Sequence, residues 1–207
     1  MKRLFLPGLF AISMLWTYTA PAQQPPEVRA YASCSFPDGL QVIDTAPMPG
    51  DVHARPVQIH GVAGSVPLLA GQRVVFGYGG IPYANVKVEQ LPATAFPANR
   101  KLLLDDFADI AASDKGVARD ATRKPTQSGF SIAGLNRKEL EGSTLGIYLL
   151  IDDQTHIAAT VYLLNADPAK RHFKTLDEYA HLRDTFLYNY TRCVRNNQTG
   201  NTFGVPR

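Results

Sequence analysis

Leu145-Gly-Ile-Tyr-Leu-Leu-Ile151, then Asp152-Asp-Gln-Thr155, then Ile157-Ala-Ala-Thr-Val-Tyr-Leu-Leu164: this stretch decides the fold. Two runs rich in β-branched, aromatic and aliphatic residues, separated by polar turn formers, predict a β-hairpin. Neither run alternates cleanly between apolar and polar residues. Both strands are therefore expected to be covered on both faces, in the middle of a sheet. The second run ends at Asn165-Ala-Asp-Pro168, where a proline cannot continue the ladder.

A helix follows. Thr175-Leu-Asp-Glu178 has the form of a capping box, in which the threonine hydroxyl accepts from the backbone N–H three residues on. Leu176, Tyr179, Ala180, Arg183, Phe186, Leu187, Tyr190 and Val194 keep the i, i+3, i+4, i+7 spacing of one helix face. Arg183 is the single polar member of that stripe. The helix is expected to end near Asn196 and Asn197, with its apolar stripe on the sheet.

Upstream, Glu27–Ser35 reads as a short extended or helical piece ending at Cys34, and Phe36-Pro-Asp-Gly39 as a turn. Leu40–Ile43 is a short strand. Thr45–Gly50, with two prolines, is expected to be loop. Arg55–His60 alternates and contains Pro56, which predicts an edge strand. Arg73–Tyr78 and Tyr83–Leu91 are stronger strands joined by Gly79-Gly-Ile-Pro82, and Lys87 with Glu89 gives the second a wet face. Asn99–Ala112 carries a helical stripe of Leu103, Phe107, Ile110 and Ala111. Ser113–Ser128 has no apolar period and is expected to be a long loop, functional or disordered. Gly129–Leu135 resumes as a strand and completes a three-strand meander before the last helix. The fold class is thus α/β (α+β): a mainly antiparallel sheet, helices packed on its faces, a long C-terminal helix, and one domain over residues 23–207.

The first 22 residues have a different character. Met1-Lys-Arg, an apolar run from Leu4 to Trp16 and the small-x-small ending Ala20-Pro-Ala22 are the three parts of a secretory signal peptide in order. The apolar run is too short to span a bilayer. Gln23, not the cysteine a lipid anchor would need, stands directly after the cleavage site, so a freely soluble periplasmic protein without a stable membrane anchor is expected, with secretion beyond the periplasm as the alternative. The whole chain carries a formal net charge of +3, and removal of Lys2 and Arg3 brings it close to neutrality, which gives no reason to expect a nucleic-acid partner. Its only two cysteines, Cys34 and Cys193, are expected to pair in an oxidising compartment and to staple the N-terminal segment to the last helix.

Motifs for chemistry are sparse. Gly77-Tyr-Gly-Gly80 lacks the helix that a phosphate loop feeds, and reads as a hairpin turn. Gly129-Phe-Ser131-Ile-Ala133 falls one glycine short of a nucleophile elbow. His53, His60, His156, His172 and His181 show no metal-ligand spacing among themselves. Asp105, Asp106 and Asp109 group on one predicted helix, either as a wet face or as an acid–base or metal-binding set. No cofactor, metal site or catalytic residue is assigned. Tyr78, Tyr83, Arg119, Arg123 and Lys124 suit a protein interface, where Tyr and Arg are enriched. For the two tyrosines ordinary sheet packing is the alternative.

The order of elements over Arg55–Val194 resembles the small α/β/α sandwich of Mog1/PsbP-type proteins, a resemblance that implies fold alone. The signal peptide ending Ala20-Pro-Ala22, the missing lipid-anchor cysteine, the Cys34–Cys193 pair and the compact domain resemble exported bacterial immunity proteins. That resemblance implies a non-enzymatic partner: a protein that binds and occludes a cognate effector or toxin. A periplasmic hydrolase built on Ser131 or the Asp105 group, and a small-ligand carrier, are the competing readings.

Overall fold

The computed structural model describes residues 24–48, 54–59, 62–120 and 126–200. The signal-like leader, His53, His60, Arg123 and Lys124 lie outside these. The elements in chain order are α1 (Pro26–Arg29), β1 (Leu40–Pro47), β2 (Ala54–Ile59), β3 (Val62–Pro67), β4 (Ala70–Tyr78), β5 (Ile81–Gln90), α2 (Phe96–Ser113), β6 (Val117–Arg119), β7 (Thr126–Gln127), β8 (Phe130–Arg137), β9 (Thr144–Asp152), β10 (Ile157–Leu164) and α3 (Leu176–Thr199).

The main sheet runs β1-β4-β5-β10-β9-β8-β6, with β7 also pairing to β8, and every pairing is antiparallel. The β9–β10 hairpin lies at its centre, as its apolar runs predict. Because side chains alternate across a strand, the hairpin feeds two cores. Tyr148, Leu150, Ala159, Val161 and Leu163 pack with α1 and the α3 stripe. Leu149, Ile151 and Ala158 pack with Phe96, Leu103, Leu104 and Phe107 of α2, and with Met48 and Leu68. The result is three layers: α1 and α3 on one face, the sheet, and α2 on the other.

α3 starts where its capping residues place it. The Glu178 N–H donates to Thr175 Oγ1 at 3.2 Å, and Glu178 Oε2 accepts from the Lys174 N–H at 2.6 Å. It ends at Gly200, whose left-handed φ of 69° turns the chain, slightly beyond the expected asparagines. Its inner face stacks aromatic rings: Phe186 and Tyr190 lie 5.2 Å apart, and Phe76 is 5.2 Å from Tyr190. Each such pair adds about 0.5–1.5 kcal/mol to simple burial. Tyr190 Oη also donates to the Tyr31 carbonyl, which fixes α1 to α3. The Cys34–Cys193 disulfide closes the same contact, with Cα atoms 5.7 Å apart.

Several expectations are corrected. β1 does not stop at Ile43; it runs on to Pro47, which is tolerable because proline ends an outer strand. β3 is a strand that the sequence reading leaves unassigned, and with β2 it forms a separate two-stranded sheet. α2 begins at Phe96, since Pro97 fits a first helical turn. The stretch 113–128 is not one loop: it holds the end of α2 and both short strands on the β8 edge. Glu89 is not wet. It is buried, with Lys87 Nζ at 3.2 Å. Leu176, placed in the α3 stripe, is exposed.

Candidate functional site

The densest polar construction on the α3 face begins with two glycines. Gly134 sits directly opposite Tyr148, and Gly146 opposite Asn136. A Cβ on Gly134 would fall 2.3 Å from Tyr148 Cε1, and one on Gly146 would fall 2.4 Å from Tyr179 Oη. Their bare backbones let the Tyr148 ring lie across β8 and let the Tyr179 phenol reach the sheet. The Asp120 N–H donates to the Gly134 carbonyl at 2.9 Å, which carries the carboxylate to the end of the ring. Tyr148 Oη donates to Asp120 Oδ2 at 2.8 Å and accepts from Asn136 Nδ2 at 2.7 Å. Tyr179 Oη donates to Asn136 Oδ1 at 3.3 Å. Arg183, one turn along α3, is buried, with its guanidinium 5.8 Å from the Tyr179 ring centre and Nε bonded to Asp184 Oδ1 at 2.8 Å.

Electrostatics fix the protonation of this network. Burial pushes the Tyr148 phenol well above its usual range; Arg183 pulls it back, and the Asp120 carboxylate pushes it up again. Burial likewise raises Tyr179 and Tyr83, with Arg183 opposing in both. Burial works against the charge on Arg183, but the bond to Asp184 and the proximity of Tyr148 and Asp120 outweigh it, so the guanidinium is held more firmly protonated than usual. At neutral pH the phenols are hydrogen-bond donors and the arginine a fixed cation.

On the opposite face, an open cleft of about 310 Å³ lies between α2 and β8. Leu104, Phe107 and Ala108 of α2 form one wall, and Ala133 and Leu135 the other. Arg119, which is exposed, and Asp120 also line the cleft. Register explains the division of labour: Arg119 pairs with Leu135 and shares its face, whereas Asp120, the next residue, turns to Tyr148. A smaller apolar recess of about 100 Å³, lined by Ile110, Val117 and Ile147 among others, adjoins at Leu135. A third depression holds Lys115, Arg137 and Lys138 with Glu139 and Glu141. Its charges are mixed, with Arg137 bonded to Asp114 at 3.1 Å.

At the far end of α3, Asp152 is wholly buried. It accepts from Arg195 Nη1 at 3.2 Å, Thr155 Oγ1 at 2.8 Å and the Gln154 N–H at 3.1 Å. The Arg195 guanidinium also lies 4.6 Å from the Phe130 ring centre. This pair holds the hairpin turn to the last helix.

The sequence-selected residues are dispersed. Tyr83 is only 4% exposed and packs edge-on to Phe186. Tyr78 is buried too, bonded to Asp38 at 2.9 Å and covered by His172 at 4.5 Å. Both rings thus take the sheet-packing role rather than a surface one. Arg119 is exposed; Arg123 and Lys124 are not among the described residues. Ser131 lies mid-strand opposite Ile151. Asp105, Asp106 and Asp109 are exposed on α2, with Lys101 bound to Asp105 at 2.6 Å. Among the described residues no group of three or more His, Cys, Asp or Glu is gathered as a metal would require, and no helix is long and apolar enough to cross a membrane.

Sequence reading misses one surface feature. Tyr188 on α3 is 49% exposed, and Arg192 one turn on lies 5.1 Å from its ring centre and bonds its hydroxyl at 2.9 Å. The i, i+4 spacing of Tyr188 and Arg192 is the signal that finds it. Comparison of the chain with protein-family models, curated proteins and solved structures finds no match.

Proposed function

We propose that this chain is an exported, non-enzymatic binding protein of the periplasm, acting as an immunity protein that inhibits a secreted antibacterial effector by occlusion. The observation that carries the reading is the Tyr188–Arg192 pair on the outer face of α3. Tyrosine and arginine dominate the energetic centres of protein interfaces. Here each holds the other in place before any partner arrives, which lowers the side-chain ordering cost of association. Two further features support it. The Cys34–Cys193 disulfide suits an oxidising compartment. The buried Tyr148 network is held in one protonation state, which suits a rigid scaffold better than general acid–base work.

The test is co-elution and titration of residues 23–207 with the product of the neighbouring gene, with and without Tyr188→Ala and Arg192→Ala. A stoichiometric complex that silences that product's toxicity is expected, and each substitution is expected to cost about 2 kcal/mol of binding, as central interface residues do. Absence of both complex and protection refutes the reading. A complex of undiminished affinity in both variants refutes the assignment of this face.

A further inference from the structure

We propose that the cleft between α2 and β8 binds a small amphipathic anion: an aryl or aliphatic body carrying a carboxylate or sulfonate, with Arg119 as its charged contact. This is independent of the occlusion reading and uses the opposite face of the sheet. Three observations carry it. At about 310 Å³ the cleft falls at the lower end of small-molecule sites, which span roughly 300–1,000 Å³ and combine apolar walls with a few polar groups. Its walls are apolar, from Leu104, Phe107 and Ala108 on the helix to Ala133 and Leu135 on the strand. Asp120 also lines the cleft, but its carboxylate accepts from the Tyr148 hydroxyl at 2.8 Å, so among the described lining residues Arg119 supplies the exposed charge. The register sends Arg119 to this face. No described residue forms an ion pair with Arg119. The α2 carboxylates Asp105, Asp106 and Asp109 lie on exposed positions of the helix, off the wall formed by Leu104, Phe107 and Ala108.

Among the described residues Arg119 is the cation that lines this largely apolar trough, which favours a ligand with one anionic end. A cationic amphiphile of the same length would meet Arg119 as a like charge. A neutral one would gain the walls but leave the guanidinium without a partner. Because Arg119 is exposed, salt is expected to weaken the interaction.

The experiment uses residues 23–207 and three probes: anilinonaphthalene sulfonate, decanoate and decyltrimethylammonium. Saturable fluorescence enhancement of the sulfonate is expected, with displacement by decanoate and none by the cation. Arg119→Glu should weaken sulfonate binding by about tenfold or more, the scale of one charged hydrogen bond; Arg119→Lys should retain most of it. Ala133→Phe, which fills the trough, should abolish it. Should Ala133→Phe fail to fold, Arg119→Glu, an exposed substitution, decides alone. The proposal is overturned by absence of saturable binding, by equal displacement with the cation, or by binding that Arg119→Glu leaves unchanged.

Discussion

Gly134→Ala tests one of the tightest glycine contacts among the described residues. The new methyl would stand 2.3 Å from Tyr148 Cε1 and 2.7 Å from Cδ1, whereas carbon atoms pack at about 3.5–4.0 Å. The ring would have to move by more than an ångström. It cannot move freely, because Tyr148 is fully buried and its hydroxyl is tied to Asp120 and Asn136. Overpacking of this kind costs about 1–3 kcal/mol, and losing a hydrogen bond to a carboxylate costs about 1.5–3 kcal/mol. Against this, replacing glycine restricts the unfolded chain and returns about 0.4–1 kcal/mol. The net expectation is a loss of about 2–4 kcal/mol, a large share of the roughly 5–15 kcal/mol typical of a folded domain. Urea unfolding of residues 23–207 measures it. Gly64→Ala is the control, since a Cβ there meets nothing within 4 Å. The double variant Gly134→Ala, Tyr148→Leu should recover part of the loss, with a coupling of about 0.5–3 kcal/mol, because the ring is the obstacle. A Gly134→Ala protein as stable as the parent, or strictly additive behaviour in the cycle, would refute this account of the network.

Two other outcomes follow from the same packing. Replacing Cys34 and Cys193 by serine opens a loop with a sequence separation of 159 residues; the chain-entropy relation assigns such a closure about 5 kcal/mol, so the urea midpoint should fall sharply, and an unchanged midpoint would contradict it. The phenols of Tyr31, Tyr83, Tyr148, Tyr179 and Tyr190 are all raised, with burial the largest cause in each. A raised folded-state pKa gives stability that is whole below the unfolded value of about 10 and is lost as pH climbs toward the folded one. Above that pH the phenolate absorbance of these residues should therefore rise together with loss of the near-ultraviolet circular dichroism, and ionisation of all of them near pH 10 in a chain still folded would refute their burial.

How far the sequence could be read depended on the range of the interactions involved. The β9–β10 hairpin and α3 were legible because their signals are local: apolar runs around a polar turn, and a threonine with a glutamate three residues on. The disulfide was legible by elimination, with two cysteines in the chain. β3 was not, because Val62-Ala-Gly-Ser-Val-Pro67 is too poor in large apolar residues to stand out, and its pairing with β2 supplies what propensity does not. The Tyr148 network was invisible for a different reason. Asp120, Asn136, Tyr148, Tyr179 and Arg183 come from four separate segments, and nothing at any one of them announces the others. Even the visible oddity, an arginine inside the apolar stripe of α3, identifies no partner until the strands are in register.

Register is also what gives Arg119 and Asp120 opposite tasks. They are consecutive residues where β6 runs out along the β8 edge, so the alternation of the strand sends one side chain to the α2 cleft and the other beneath α3. A slip of one residue would exchange them. The cleft would then present a carboxylate, and Tyr148 would face a guanidinium in a place already occupied by the positive charge of Arg183. Beside the β6–β8 ladder, the bonds that oppose this slip include the Asp120 N–H to the Gly134 carbonyl and the Tyr148 hydroxyl to the Asp120 carboxylate. The buried tyrosine cluster and the exposed charge of the cleft are therefore two consequences of one alignment. A substitution that frees Tyr148 from Asp120, such as Tyr148→Phe, removes one of the restraints on which face Arg119 serves, although Tyr148 itself does not line the cleft.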